Sequence, residues 1–307
     1  MNQYDVIIVG AGPAGMSAAV YAARAELNTL MVDFGEPGGQ INGTNVVQNY
    51  IGVGSISGSA LGYRMFQHTR QLKVPFQKKK VVKIEAGEPL HRVYMEGEEE
   101  PYLTRSIILA IGTTPKSLHV ENEEKFSRKG ISWCAICDGA QYAGKDVVVI
   151  GGGNSGVKES PFLSNIVTSL TMLTNYDLTA DEVAIRQLKS KTNVQILTYQ
   201  NILGFVGEEK LEGVRTLDTK SGQEQVIPCA GVFEYIGLDP HTNFLHGLHI
   251  MNHQGYIVVN PSMETSIPGI YGAGDCTVKD LRQVVTACSD GAIAAQNASH
   301  YLRKHGL

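Results

Sequence analysis

The apolar positions of this chain gather in short, β-branched runs, each stopped by glycine. Tyr4-Asp5-Val6-Ile7-Ile8-Val9 is the first, and Gly10-Ala11-Gly12-Pro13-Ala14-Gly15 follows it at once. Such a run predicts a strand buried on both faces of a parallel sheet. An alanine-rich stretch with Ala14, Ala18, Ala19, Ala22 and Ala23 predicts a helix, and Asn28 to Val32 predicts a second strand ending at Asp33. The pattern recurs about 140 residues later: Asp146-Val147-Val148-Val149-Ile150 runs into Gly151-Gly152-Gly153-Asn154-Ser155-Gly156, and Ser169 to Leu173 predicts the following strand. Between the two units, Ser106 to Pro115 reads as a buried strand ending in a Gly/Pro crossing, and Val232 to Pro240 is its counterpart.

An internal pair of this kind predicts an α/β protein with two Rossmann-like dinucleotide-binding domains of the three-layer ββα/βαβ type, the second inserted into the first. The expected boundaries are 1–115 with 241–307 for the discontinuous first domain and 116–240 for the insert. In the first unit each glycine has a task. Gly10 makes the tight turn, Gly12 lets backbone approach a pyrophosphate, and Gly15 lets helix and strand pack closely. The helix N-terminus, with Pro13 and Ala14, favours the phosphates, and Asp33 is placed to accept hydrogen bonds from a ribose.

Composition narrows the function. With 307 residues, 43% hydrophobic and 18% charged, the chain is expected to be a globular enzyme with two cores. The net charge is −4 and no basic stripe tracks a phosphate backbone, so nucleic-acid binding is not expected. Lys78-Lys79-Lys80, ahead of the alternating Val81, Val82 and Ile84, reads as a solvated strand edge. Val6 to Val9 follows Asp5, lacks a basic flank and runs straight into glycines, so it reads as neither signal peptide nor membrane span, which predicts a cytoplasmic protein.

Five cysteines include Cys134-Ala135-Ile136-Cys137. Two thiols at this spacing, at a turn or helix start, can close a small disulfide ring. A thiolate there attacks a partner disulfide, and the second cysteine resolves the mixed disulfide. Asp138 is the natural proton donor and acceptor. Half of a zinc site is the other reading of the pair, but no second pair or His-x₃₋₅-His partner follows, and no metal is expected. His241, His246, His249 and His253 read as surface or packing residues, and Cys229, Cys276 and Cys288 as small core residues. Trp133, the only tryptophan, reads as a packing residue, with partner docking as the alternative.

The chain resembles the low-molecular-weight thioredoxin reductases over nearly its whole length. The motifs that carry the resemblance are Gly10 to Gly15, Gly38-Gly39-Gln40, Asn49, Ala110-Ile111-Gly112, Cys134 to Gly139, Gly272-Ala273-Gly274-Asp275 and Arg282-Gln283-Val284. The resemblance implies FAD as cofactor, a homodimer, and thioredoxin as the partner reduced. It implies that Asp275 bonds the ribityl and pyrophosphate region. It further implies that Gly38 to Gln40 and Asn49 line the isoalloxazine pocket with Arg282, Gln283 and Val284 near the ring. By the same resemblance Cys134 attacks the partner and Cys137 faces the flavin.

The second unit departs from that family. Where a cluster of basic residues for NADPH is expected, the chain reads Leu173-Thr174-Asn175-Tyr176-Asp177-Leu178-Thr179. No arginine awaits a 2′-phosphate there. Pro161 falls where the helix after the second Gly-rich turn is expected, and a proline inside a helix predicts a kink or break costing ~3 kcal/mol. Ile51 stands where the family has a proline after Asn49-Tyr50. This pattern resembles the ferredoxin-dependent flavin thioredoxin reductases of anaerobic bacteria. The expected donor is therefore ferredoxin, with NADPH doubtful. An NADPH- or NADH-dependent reductase and a slow-turnover redox-sensing FAD protein are the alternatives.

Overall fold

A computed structural model describes residues 3–44 and 46–306. In chain order it begins with strand β1 (Gln3–Val9), helix α1 (Pro13–Arg24), β2 (Thr29–Asp33), α2 (Gly58–Gln71), β3 (Phe76–Lys78), β4 (Val81–Glu85), β5 (His91–Met95), β6 (Tyr102–Leu109) and β7 (Thr114–Pro115). There follow α3 (Glu123–Phe126), β8 (Ile131–Ser132), α4 (Ala135–Asp138), β9 (Asp146–Ile150), α5 (Asn154–Ser164), β10 (Ser169–Thr174), α6 (Glu182–Lys189) and β11 (Val194–Thr198). The remainder is β12 (Gln200–Val206), β13 (Gly213–Asp218), β14 (Glu224–Pro228), β15 (Gly231–Glu234), β16 (Leu238–Asp239), β17 (Ile270–Gly272) and α7 (Val284–Lys304).

The chain divides into two compact units, 1–114 with 239–307 and 115–238. In the first, β1 lies between β2 and β6, all parallel, and the sheet runs in the order β3-β2-β1-β6-β5-β4 with β17 also parallel to β6. Alternation along β1 shows why both faces need cover. Val6 and Ile8 join the core beneath α1 and α7, whereas Ile7 and Val9 join the core beneath β4 and β5 and the turn at 243–248. The triple-lysine stretch leads into β4, which ends the sheet.

The second unit repeats the scheme with a fully parallel sheet in the order β11-β10-β9-β15-β8. Val148 and Ile150 face one core, Val147 and Val149 the other. A separate antiparallel sheet, β12-β13-β14, completes it. The expected break at Pro161 does not occur. Helix α5 runs unbroken from Asn154 to Ser164 with the proline inside it. Val157, Ser160 and Leu163 are wholly buried, so tertiary burial outweighs the missing backbone bond.

Helices α1 and α7 meet through small residues. A Cβ built on Gly291 would lie 2.0 Å from the Ala14 carbonyl oxygen, closer than any real contact. Gly291→Ala must therefore push the helices apart, and we expect a loss of ~1–3 kcal/mol in stability, read as a lower denaturation midpoint. An unchanged midpoint would show that this contact is loose.

Candidate active site

In the first unit the Gly-rich turn sits at the carboxyl end of β1. Gly10 has φ +110°, and a Cβ there would lie 2.1 Å from the Ala110 carbonyl oxygen. One on Gly15 would lie 1.9 Å from the Gly10 carbonyl oxygen. These two glycines are demanded by backbone packing. Gly12 is different: nothing lies within 4 Å of its added Cβ, although it caps α1 and Pro13 opens that helix. The free space stands where helix amide groups point outward, so it suits a phosphate.

Other residues singled out by sequence gather around this turn. A Cβ on Gly39 would lie 3.4 Å from Gly12 Cα, and one on Gly274 2.9 Å from Ala14 Cβ. The Ala110 N–H donates to the Val9 carbonyl at 2.7 Å. Gly112 has φ +66° with open space around it. Gln40 donates to Thr113 Oγ1 at 3.1 Å, and Asn49 donates to Gln283 Oε1 at 2.9 Å. Gln283 also caps α7, whose first residue is Val284. Arg282 donates from Nε to the Asp275 carbonyl at 3.3 Å and lies over the Tyr256 ring.

Asp33 is engaged by backbone: Oδ2 accepts from Ala11 N–H at 2.6 Å and Oδ1 from Gly35 N–H at 2.8 Å. Each oxygen keeps a further lone pair for a ribose hydroxyl. Asp275 Oδ1 is buried and has no partner, and burial pushes its carboxyl up, with Lys279 and Arg282 opposing. The orphaned buried acceptor and the room at the helix N-terminus fit a flavin adenine dinucleotide.

Two contributors were not anticipated. Asp290, buried on α7, accepts from the Gly274 N–H at 2.9 Å and is ion-paired with Lys279. Together they hold the turn that carries Asp275. The only sequence signal was an acid at a core position of α7, between Ala287 and Ala294.

In the second unit Cys134 and Cys137 form a disulfide, with Cα atoms 5.3 Å apart. Both are half-buried, and the neighbouring Ile136 is exposed. The Cys137 N–H donates to Cys134 Sγ at 3.1 Å. Such a donor stabilises negative charge on that sulfur once the bond is open. Asp138 Oδ2 accepts from Ser132 Oγ at 2.6 Å, and the same hydroxyl accepts from the Cys134 N–H at 3.1 Å. The Ala135 N–H donates to Tyr235 Oη at 2.9 Å. Burial pushes the thiols of Cys229 and Cys276 up to about 12 and about 11, which keeps them protonated and inert.

The second Gly-rich turn copies the first in backbone. Gly151 has φ +121°, and Cβ atoms on Gly151 and Gly156 would lie 2.3 Å from the Tyr235 oxygen and 2.2 Å from the Gly151 oxygen. The segment that follows β10, residues 174–181, covers the turn and carries no basic residue of its own. A Cβ on Gly152 would meet Thr174 Oγ1 at 2.8 Å and Leu178 at 2.9 Å, and Thr179 N–H donates to the Gly152 carbonyl at 2.9 Å. Asp177 accepts from Tyr199 Oη at 2.8 Å, and Asp181 pairs with Lys158 at 2.8 Å.

Residues 4–291 match the family model described as pyridine nucleotide-disulphide oxidoreductase. The chain belongs to that family. It is 40% identical over 303 residues to a thioredoxin reductase of Bacillus subtilis (strain 168), covering 98% of this chain and 95% of the relative. It is 38% identical over 305 residues to a 34.2 kDa protein in the rubredoxin operon of Clostridium pasteurianum, covering 98% of each. The solved structure of thioredoxin reductase from Streptococcus pyogenes MGAS5005 superposes with a TM-score of 0.92 at 36% identity, covering 99% of each chain. No helix among the described residues is long and apolar enough to cross a membrane.

The contrast between Gly12 and its neighbours gives a direct test. A Cβ on Gly12 meets no protein atom within 4 Å, so Gly12→Val should fold as the wild type does while failing to take up FAD, whereas Gly15→Val should unfold the first unit. Circular dichroism and flavin absorbance separate the two results. Full flavin content in Gly12→Val would show that the phosphates lie elsewhere.

Proposed function

We propose that this chain is a thioredoxin reductase whose flavin receives electrons from a reduced ferredoxin, with NADPH playing no effective part. It works as a homodimer in the cytoplasm. Bound FAD supplies the two-electron chemistry that links a one-electron donor to a disulfide. Two electrons and two protons convert the Cys134–Cys137 disulfide to a dithiol. Cys134, steadied by the Cys137 N–H, loses its proton to Asp138 and attacks the thioredoxin disulfide, releasing one partner thiolate. Cys137 then attacks Cys134, which frees the reduced thioredoxin and restores the disulfide.

The observation that carries the donor assignment is the cover over the second Gly-rich turn. Residues 174–181 offer Thr174, Asn175 and Tyr176 beside Asp177 and Asp181, with no cation among them. A guanidinium–phosphate contact contributes ~1.5–3 kcal/mol, so lacking two weakens NADPH binding by ~10²–10⁴-fold. The intact turn and the similarity to the Bacillus subtilis reductase favour a second reading, in which a pyridine nucleotide still binds by its pyrophosphate alone.

Calorimetric titration of NADPH into the holoprotein decides between them. We expect millimolar affinity or weaker, and micromolar affinity would overturn the ferredoxin assignment. For the dithiol, Cys137→Ser should trap a mixed disulfide with thioredoxin and Cys134→Ser should not, each retaining FAD and neither turning over. Equal trapping by both, seen on a non-reducing gel, would overturn the assigned thiol roles but not the function.

A further inference from the structure

Glu234 closes β15 and is only 2% exposed. Acids rarely stay so deep without full partnership. Its Oε2 accepts from Trp133 Nε1–H at 3.0 Å, but its Oε1, also buried, has no partner. The next residue, Tyr235, holds the Ala135 N–H. Two consecutive residues at the end of β15 therefore grip Trp133 and Ala135, the two residues that flank Cys134.

The surroundings offer an ionised Glu234 little. Across the sheet, β9 places Ile150 opposite it, and Trp133 belongs to the apolar cluster of Phe126, Val148, Ile150 and Val232. From α3, Glu123 faces it, with a carboxyl that already accepts from the Leu118 and Val120 amides. Glu159 of α5 and Asp138 of α4 act on Tyr235 instead, and no cation among the described residues acts on Glu234. Burial first, and then Glu123, push its carboxyl up to about 8, with the Trp133 bond opposing.

We propose that Glu234 is a proton-sensitive positioning residue for the dithiol: as a neutral acid it sits dry beside Trp133 and fixes Cys134 through it, and loss of its proton, although it strengthens the Trp133 bond, draws water to the buried carboxylate and shifts that segment. An anion here has one donor and no counter-charge, so ionisation favours a rearrangement that brings water to Oε1. The held segment moves with it. The sign follows from the direction of the shift. The carboxyl titrates above its usual value of 4.5, so its stabilising contribution is complete below that pH and is lost as pH rises through about 8.

This inference rests on Cys134 and Cys137 being the working dithiol, but its test needs neither thioredoxin nor an electron donor. Failure of the test therefore leaves that reading standing. Trp133 is the chain's only tryptophan and reports directly. In the oxidised holoprotein its emission should change in one step centred near pH 8, and Glu234→Gln should abolish the step. The same step in Glu234→Gln, or no step in the wild type, overturns the proposal. Infrared spectroscopy of the wild type gives a second check that does not depend on the glutamine variant folding. A protonated-carboxyl band should vanish near pH 8 and be displaced in Trp133→Phe, and a band unmoved by that substitution also overturns it.

Discussion

Two backbone contacts that only glycine permits set up the whole molecule. Gly15 rests on the Gly10 carbonyl and Gly156 on the Gly151 carbonyl, each so close that a single added carbon has no room. Each contact brings the first turn of a helix against the end of a central parallel strand. The helix amides then point at the same spot beyond the carboxyl end of the sheet, where a dinucleotide belongs. Gly10 against Ala110 and Gly151 against Tyr235 add the neighbouring strand to each arrangement.

An identical frame does not impose an identical ligand. In the first unit Asp33 steadies the turn through Ala11, Asp275 carries an unpartnered oxygen, and the space at Gly12 is open. In the second, Thr174 and Leu178 lie against Gly152, and Asp181, whose amide bonds Asn154 at the start of α5, is ion-paired with Lys158. The glycines hold the second helix and strand together whether or not a nucleotide is read. The dithiol sits on this second frame, tied through Ala135 and Trp133 to the end of β15.

Much of this was legible in the sequence because it depends on local chemistry. β-Branched runs specify buried parallel strands, and the glycine spacing specifies the turns that follow them. Cys134 and Cys137 lie close enough in sequence to pair within one helical turn. What escaped depends on distance in sequence. Asp290 acts on Gly274 from another element, and Glu234 meets Trp133 across about a hundred residues, so no local pattern marks either. Pro161 misled for the same reason: a local rule predicted a break, and burial of Val157 and Leu163 against the sheet outweighed it. Asp33 was legible as an acid at a strand end, but its hold on the Ala11 and Gly35 amides was not.

The route by which electrons enter matters most in a protein whose second Gly-rich turn is covered by residues 174–181 with no lysine or arginine among them. Anaerobic flavin bleaching, followed by absorbance with reduced ferredoxin, NADPH and NADH each supplied at the same micromolar concentration, addresses this directly. The account predicts rapid bleaching by ferredoxin, negligible bleaching by NADPH and little by NADH. Fast, saturable bleaching by NADPH at that concentration would contradict it.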